Sequence, residues 1–174
     1  MPVGMPVHRQ LSDCASIGTR LAWLERLFAD MPRVKVMDWE ALQAKPTASI
    51  DTLRWMVDEG VQPVFLMGAD AYAGMPDWVG YPEHRLLCSV AVFARVGLPR
   101  PELPGWLEGE LTTPGHVQWL PVDLAEVSAT RIRELAAAGE SLSSLVPDAL
   151  MEDIERCYGR ADDHETPNGE SRDG

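Results

Sequence analysis

The sequence predicts an α/β fold with a mostly parallel sheet of the doubly wound kind, and three observations point to it. Residues 64–67 form a continuous apolar run, which is typical of a strand covered on both faces in a parallel sheet. Residues 89–94, SVAVFA, again read as a strand that is apolar on both sides, and residues 117–122 predict a further strand. Segments with helical spacing of apolar residues lie between and after these runs, and this alternation is typical of parallel sheets.

The remaining elements follow from apolar periodicity and from the residues that begin and end helices. A first helix is predicted over residues 15–30, with Ser12 or Asp13 as its cap, and a short strand over residues 34–37. A second helix is predicted over residues 50–60 and ends at Gly60. Further helices are predicted over residues 82–87, over 128–138 with Gly139 as the stop, and from 146 or 147 to about 157.

The organisation predicted along the chain is one domain over residues 1–158 and a polar, acidic, disordered tail over 159–174. The Pro- and Gly-rich segment 97–115 is expected to be a surface excursion. Residues 1–10 have the character of a loop that follows another element. With only four strands evident, a first strand and helix are expected to be missing.

Composition limits the partners that the chain is expected to bind. Fifteen Lys and Arg residues stand against 27 Asp and Glu, so the formal net charge is −12. This balance argues against a nucleic-acid partner, although a few placed arginines still suffice for a small phosphorylated ligand. The absence of an apolar run of membrane length and of a signal peptide predicts a cytoplasmic chain with no membrane partner. The three cysteines, Cys14, Cys88 and Cys157, are expected to be reduced thiols.

Two charged residues are expected at the carboxyl edge of the predicted sheet, where ligands bind in open parallel sheets. Asp70 follows the strand at residues 64–67 after Gly68 and Ala69, and it either meets a substrate or caps the next helix. Arg95 ends the strand that begins at Ser89, and from there it could reach phosphate oxygens.

The segment 127–133, VSATRIR, predicts an anion site at a helix start. Ser128 and Thr130 lie where the helix begins, and Arg131 and Arg133 lie in its first turns. Because the helix dipole disfavours cations at this end, arginines there suggest an anion such as a triphosphate. The alternative is an ordinary Ser cap with solvated arginines.

Three further places carry candidate binding residues. Trp78 either stacks on a flat aromatic ring or folds back on the core. His8 and Arg9 either form a cationic site at the same opening of the binding site as Asp70, or they lie on the solvated surface. The helix entrance at residues 46–52, which includes Ser49, has free amides that could hold a carboxylate, with Asp51 as a cap. No grouping typical of covalent catalysis and no phosphate-binding P-loop is found.

Five blocks, in order, closely resemble bacterial nicotinate-nucleotide adenylyltransferases over residues 1–158. They are MPVHR, PTASIDTL, FLMGADAYAGMPDW, the strand end at Arg95, and VSATRIRELAAAGESLSSLVPDALMEDIERCYGR. The last block is the most specific, because the family pairs a Ser-x-Thr-x-x-Arg helix start with a later Leu-Val-Pro helix.

The resemblance implies a Rossmann-like nucleotidyltransferase that joins ATP to nicotinate mononucleotide, with Mg²⁺ on the phosphates, giving nicotinate adenine dinucleotide and pyrophosphate. It implies that Trp78 stacks on the nicotinate ring, that amides near Ser49 and Val79 hold its carboxylate, and that Asp70 binds the ribose. It further implies that residues binding or lying near phosphates are His8, Arg9, Arg95, Ser128, Thr130 and Arg133.

The sequence also departs from the family pattern. Ala48 and Ser49 replace a tyrosine and a threonine, Val96 replaces a proline, and the first Gly-Thr-Phe-Asp-Pro and His-x-Gly-His block is absent. Either the sequence begins inside a longer gene product that is an ordinary enzyme, or it is a short protein that is a poor or dead catalyst. A regulatory or interaction module on a decayed nucleotidyltransferase and an enzyme specific for nicotinamide mononucleotide are the other hypotheses.

Overall fold

The computed structural model describes residues 15–95, 108–124 and 127–159 of the chain. Within them, one sheet has three parallel strands in the order β1 (Val64–Gly68), β2 (Ser89–Arg95) and β3 (Val117–Leu124). The β2–β3 register shifts between Phe93 and Arg95. The predicted α/β class, the parallel sheet and the strands beginning near residues 64, 89 and 117 are thus confirmed.

Among the described residues, five helices lie close to their predicted positions, and two short elements after β1, a helix and a 3₁₀ turn, were given no predicted bounds. In chain order these elements are α1 (Ile17–Phe28), α2 (Ser49–Asp58), α3 (Ala69–Ala73), a 3₁₀ turn (Met75–Asp77), α4 (His84–Leu87), α5 (Ala129–Ala138) and α6 (Asp148–Tyr158). The cap predicted for α1 at Ser12 or Asp13 is wrong. Its first turn begins at Ile17, and Ser16 Oγ accepts a hydrogen bond of 3.1 Å from the Thr19 amide.

The chain divides into two compact units, Met1–Glu126 and Val127–Gly174. The first contains the sheet and α1 to α4, and the second contains α5 and α6, which contact each other. The single domain over residues 1–158 stays a prediction. The tail beyond Gly159 and most of the excursion at 97–115 lie outside the described residues.

The central strand of the sheet is β2, and the core of the first unit forms on it. Val90, Ala91 and Val92 are at most 2% exposed, so both faces of β2 are covered. The core cluster consists of Leu53, Met67, Ala69, Met75, Cys88, Val90, Val92 and Val117.

The expectation that β1 is also covered on both faces is wrong. Met67 is 7% exposed, whereas Val64 and Leu66 are 41% and 60% exposed. Successive side chains of a strand point to opposite faces, and within the described residues only the Met67 face of β1 carries packed core. The apolar run therefore predicted the strand correctly but not what covers it.

The short strand predicted over residues 34–37 is also wrong. These residues have irregular backbone, and Val34 is 43% exposed. A strand is stabilised by hydrogen bonds to a neighbour, and none of the three described strands pairs with this segment. The segment VKVM alone is not sufficient to form a strand there.

Candidate functional site

The carboxyl edge of the sheet places Asp70 directly after β1. Gly68 holds the N-cap position of α3, and Asp70 lies in the first turn of that helix. The structure therefore does not support the alternative that Asp70 is the cap. Because Gly68 pairs with Phe93 in the parallel register, the backbone of Arg95 lies at the same edge. The side chain of Arg95 lies outside the described part of the structure, as do His8 and Arg9.

Trp78 follows the 3₁₀ turn and is held by two perpendicular ring contacts. Its ring centroid lies 5.9 Å from that of Phe65 at 88° and 5.8 Å from that of His84 at 72°. The ring packs against the core cluster and remains partly exposed. Packing against the core is thus confirmed for Trp78, and stacking on a ligand through the exposed part stays a prediction.

The start of α2 carries the second group of predicted residues. The Ala48 amide donates to Asp51 Oδ2 at 3.2 Å, so the capping role of Asp51 is confirmed. Ser49, the first residue of the helix, has its hydroxyl oxygen 3.0 Å from His84 Nε2. The first amides of a helix have no partner within the helix, which makes this end suitable for an anion.

Residues 79–84 lie directly against the first two turns of α2. Gly80 has φ +88°, and a Cβ atom built there would stand 2.9 Å from Cβ of Ile50. Arg54 binds Glu83 through two hydrogen bonds, Nε to Oε1 at 2.9 Å and Nη2 to Oε2 at 2.5 Å. The amides near Ser49 and Val79, which are predicted to hold one carboxylate, belong to these two segments. The fold therefore brings the two predicted parts of the carboxylate site together.

His84 is the residue of this region that sequence reasoning missed. It is 0% exposed, and its Nδ1 atom is buried beside the Gly80 backbone without a hydrogen bond of standard geometry among the described residues. Burial lowers the pKa of His84, which the nearby Glu83 carboxylate opposes in part. The available sequence signal was its spacing from Leu87 and Cys88, three and four residues later, which predicts an inward-facing side of the short helix.

In the second unit, the start of α5 has the geometry of a capped helix. Ser128 Oγ accepts a hydrogen bond of 3.1 Å from the Arg131 amide, so the capping alternative for Ser128 is confirmed. Thr130 Oγ1 accepts a hydrogen bond of 3.2 Å from Arg133 Nη2. The Arg131 guanidinium lies 3.9 Å from the Glu134 carboxylate, and both side chains are exposed. This arrangement leaves anion binding at the helix start as a prediction.

Within the described ranges, no three His, Cys, Asp or Glu side chains lie close enough together to hold a metal ion. None of the helices described here is long and apolar enough to cross a membrane.

Comparison with known proteins places the chain among its relatives. A protein of Thermotoga petrophila named probable nicotinate-nucleotide adenylyltransferase is 29% identical over 161 residues, which cover 91% of this chain and 80% of that protein. A protein of Pseudomonas fluorescens with the same name is 32% identical over 166 residues, covering 87% of this chain and 77% of the relative. A third, from Chromobacterium violaceum, is 28% identical over 170 residues, covering 90% and 80%.

No protein-family model matches the chain. The identity to the Pseudomonas fluorescens protein nevertheless extends over most of both sequences, and it agrees with the parallel α/β fold. The chain therefore belongs to the nicotinate-nucleotide adenylyltransferase family.

Proposed function

We propose that this chain transfers the adenylyl group of ATP to nicotinate mononucleotide, giving nicotinate adenine dinucleotide and pyrophosphate in NAD biosynthesis. The family membership supports the reaction class. The observation that carries the substrate assignment is the close packing of the α2 start against residues 79–84, with Trp78 beside it.

The pyridine end of the substrate is recognised by this packed region. The exposed part of the Trp78 ring stacks on the nicotinate ring, a geometry that aromatic pairs favour. Backbone amides near Ser49 and Val79 hold the nicotinate carboxylate, because an unpaired helix start and adjacent amides favour an anion. Asp70, exposed at the carboxyl edge, accepts hydrogen bonds from the ribose hydroxyls.

The reaction needs no covalent intermediate on the protein. A phosphate oxygen of the mononucleotide attacks the α-phosphorus of ATP, the bond to the bridging oxygen breaks, and pyrophosphate leaves with the electron pair. The protein positions the two phosphates and neutralises their charge. Magnesium enters as part of the MgATP substrate and screens that charge.

The phosphate contacts are assigned to hydroxyls and cations. The ATP phosphates bind at the start of α5, to Ser128 and Thr130, and to the guanidinium of Arg133. The residues proposed near the reacting phosphates are His8, Arg9 and Arg95. The net charge of −12 supports small-molecule substrates rather than nucleic acid, and we place the chain in the cytoplasm, away from membranes.

The first test measures pyrophosphate release by the purified chain with MgATP and either nicotinate or nicotinamide mononucleotide. Faster turnover with nicotinate mononucleotide is expected, since a carboxylate gains more than an amide from the helix start. Binding without turnover would favour the alternative of a nucleotide-binding module. A folded chain that neither binds nor turns over either mononucleotide contradicts the proposal.

The second test uses tryptophan fluorescence to locate the ring. Nicotinate mononucleotide should quench the fluorescence of the wild type and of Trp55→Phe, whereas Trp78→Phe should lose most of the quenching. Trp55 is a matched control because it stacks on Trp39 at 5.1 Å in the same unit. Equal quenching in both variants would show that the pyridine ring does not stack on Trp78.

A further inference from the structure

We infer that His84 is a positioning residue for recognition of the pyridine mononucleotide, because it holds both the Ser49 hydroxyl and the Trp78 ring. The inference rests on the proposed function, in which Ser49 and Trp78 lie at the nicotinate end of the substrate. His84 has no exposed surface, so it acts through these two residues and does not touch the ligand.

The hydrogen bond between His84 and Ser49 fixes the direction of the serine hydroxyl. A serine side chain at a helix start can adopt more than one staggered rotamer. With Nε2 of His84 3.0 Å from Oγ, one direction is selected at the position whose amide is proposed to hold the carboxylate. A hydroxyl in another rotamer would be free to occupy the space that the carboxylate needs.

The ring contact between His84 and Trp78 supports the other proposed subsite. The two rings meet at 72° with centroids 5.8 Å apart, and Phe65 contacts the indole at 88°. Together they fix the plane of the indole, and preorganised aromatic surfaces lose less entropy when a ligand stacks on them. His84 therefore links the carboxylate subsite and the ring subsite through one buried imidazole.

Two substitutions separate the two contacts. His84→Phe keeps an aromatic ring against Trp78 and removes the hydrogen bond to Ser49, whereas His84→Gln keeps a polar group for Ser49 and removes the ring. Each should raise KM for nicotinate mononucleotide, and His84→Phe should raise it by about fivefold to tenfold because it loses a buried hydrogen bond. KM for ATP should stay within about twofold, because neither contact is at the phosphates.

A double-substitution cycle shows whether His84 acts through Ser49. Ser49→Ala should raise KM for nicotinate mononucleotide, and adding His84→Phe should then raise it by less than in the wild-type background. The matched controls are His116→Phe and His116→Gln in the same unit, where His116 Nδ1 lies 3.2 Å from the Glu110 carbonyl oxygen. These controls should change neither KM.

The outcomes separate this inference from the proposed function. If the wild type turns over and His84→Phe leaves KM for nicotinate mononucleotide unchanged, or raises both KM values equally, the positioning role is overturned and the function stands. If the wild type neither turns over nor binds the mononucleotide by calorimetry, the function fails and the inference fails with it. Should His84→Phe not fold, His84→Gln and Ser49→Ala carry the same comparison.

Discussion

Gly80 and Ile50 are packed so closely that the glycine cannot carry a side chain. An added Cβ would lie 2.9 Å from three carbon atoms of Ile50, and the φ of Gly80 is +88°. This contact joins the loop after Trp78 to the start of α2. The proposed carboxylate site therefore depends on a residue with no functional group of its own.

Replacement of Gly80 by alanine should destabilise the chain by about 2–4 kcal/mol, since backbone strain adds to steric overlap. The matched control is Gly60→Ala, where φ is +77° and no atom lies within 4 Å, so only the strain of about 1 kcal/mol applies. Urea unfolding measures both values. An equal loss of unfolding free energy in Gly80→Ala and Gly60→Ala would show that the contact with Ile50 relaxes without penalty.

Substitutions of Ser128 separate helix capping from phosphate binding. Ser128→Ala should cost about 1 kcal/mol, because the hydrogen bond to the Arg131 amide is lost. Ser128→Asp keeps a cap but adds a negative charge, so KM for ATP should rise by about tenfold or more.

The control for this pair is Ser16→Asp at the corresponding cap of α1, which should leave KM for ATP unchanged. Steady-state kinetics at saturating nicotinate mononucleotide provide the comparison. An unchanged KM for ATP in Ser128→Asp, with stability lost only in Ser128→Ala, would leave Ser128 as a cap alone.

The buried imidazole of His84 should make stability depend on pH below about 6.5, its ordinary pKa. Burial lowers the folded-state pKa of His84, so the unfolded chain binds a proton that the folded chain does not. Stability is then fully present above about 6.5 and decreases as pH falls towards the folded pKa, by at most about 1.4 kcal/mol per pH unit.

The measurement compares urea midpoints of the wild type and His84→Phe between about pH 7.5 and 5. The variant should show a shallower decrease over this window. Glu83 has its pKa lowered by the hydrogen bond from Arg54, so its contribution is lost only below about 4.5, outside the window. Identical slopes would mean that His84 is protonated as readily in the folded chain as in the unfolded one.

Adjacent positions of β1 should respond differently to the same substitution. Met67→Ala removes a side chain that is 7% exposed and should cost about 2–5 kcal/mol. Leu66→Ala removes one that is 60% exposed and should cost under about 1 kcal/mol. Unfolding midpoints check the contrast, and a similar cost at both positions would show that both faces of β1 are covered in solution.

Local sequence is sufficient to predict much of the secondary structure of the chain. The capping of α5 by Ser128 and its end at Gly139, with φ +70°, depend on hydrogen bonds within a few residues of each other. The strands that begin at residues 64 and 89 are likewise visible in the sequence as apolar runs. For the same reason the blocks carrying the family resemblance could be read without any structure.

The tertiary structure decided what those patterns could not determine. β1 and β2 have similar apolar runs, yet only β2 is covered on both faces, because coverage of a face depends on which distant segments pack on the sheet there. Residues 34–37, VKVM, have no strand partner among the described residues and form no strand. His84 meets Ser49 across 35 residues of chain, a contact that depends on how distant segments pack and that no local pattern records.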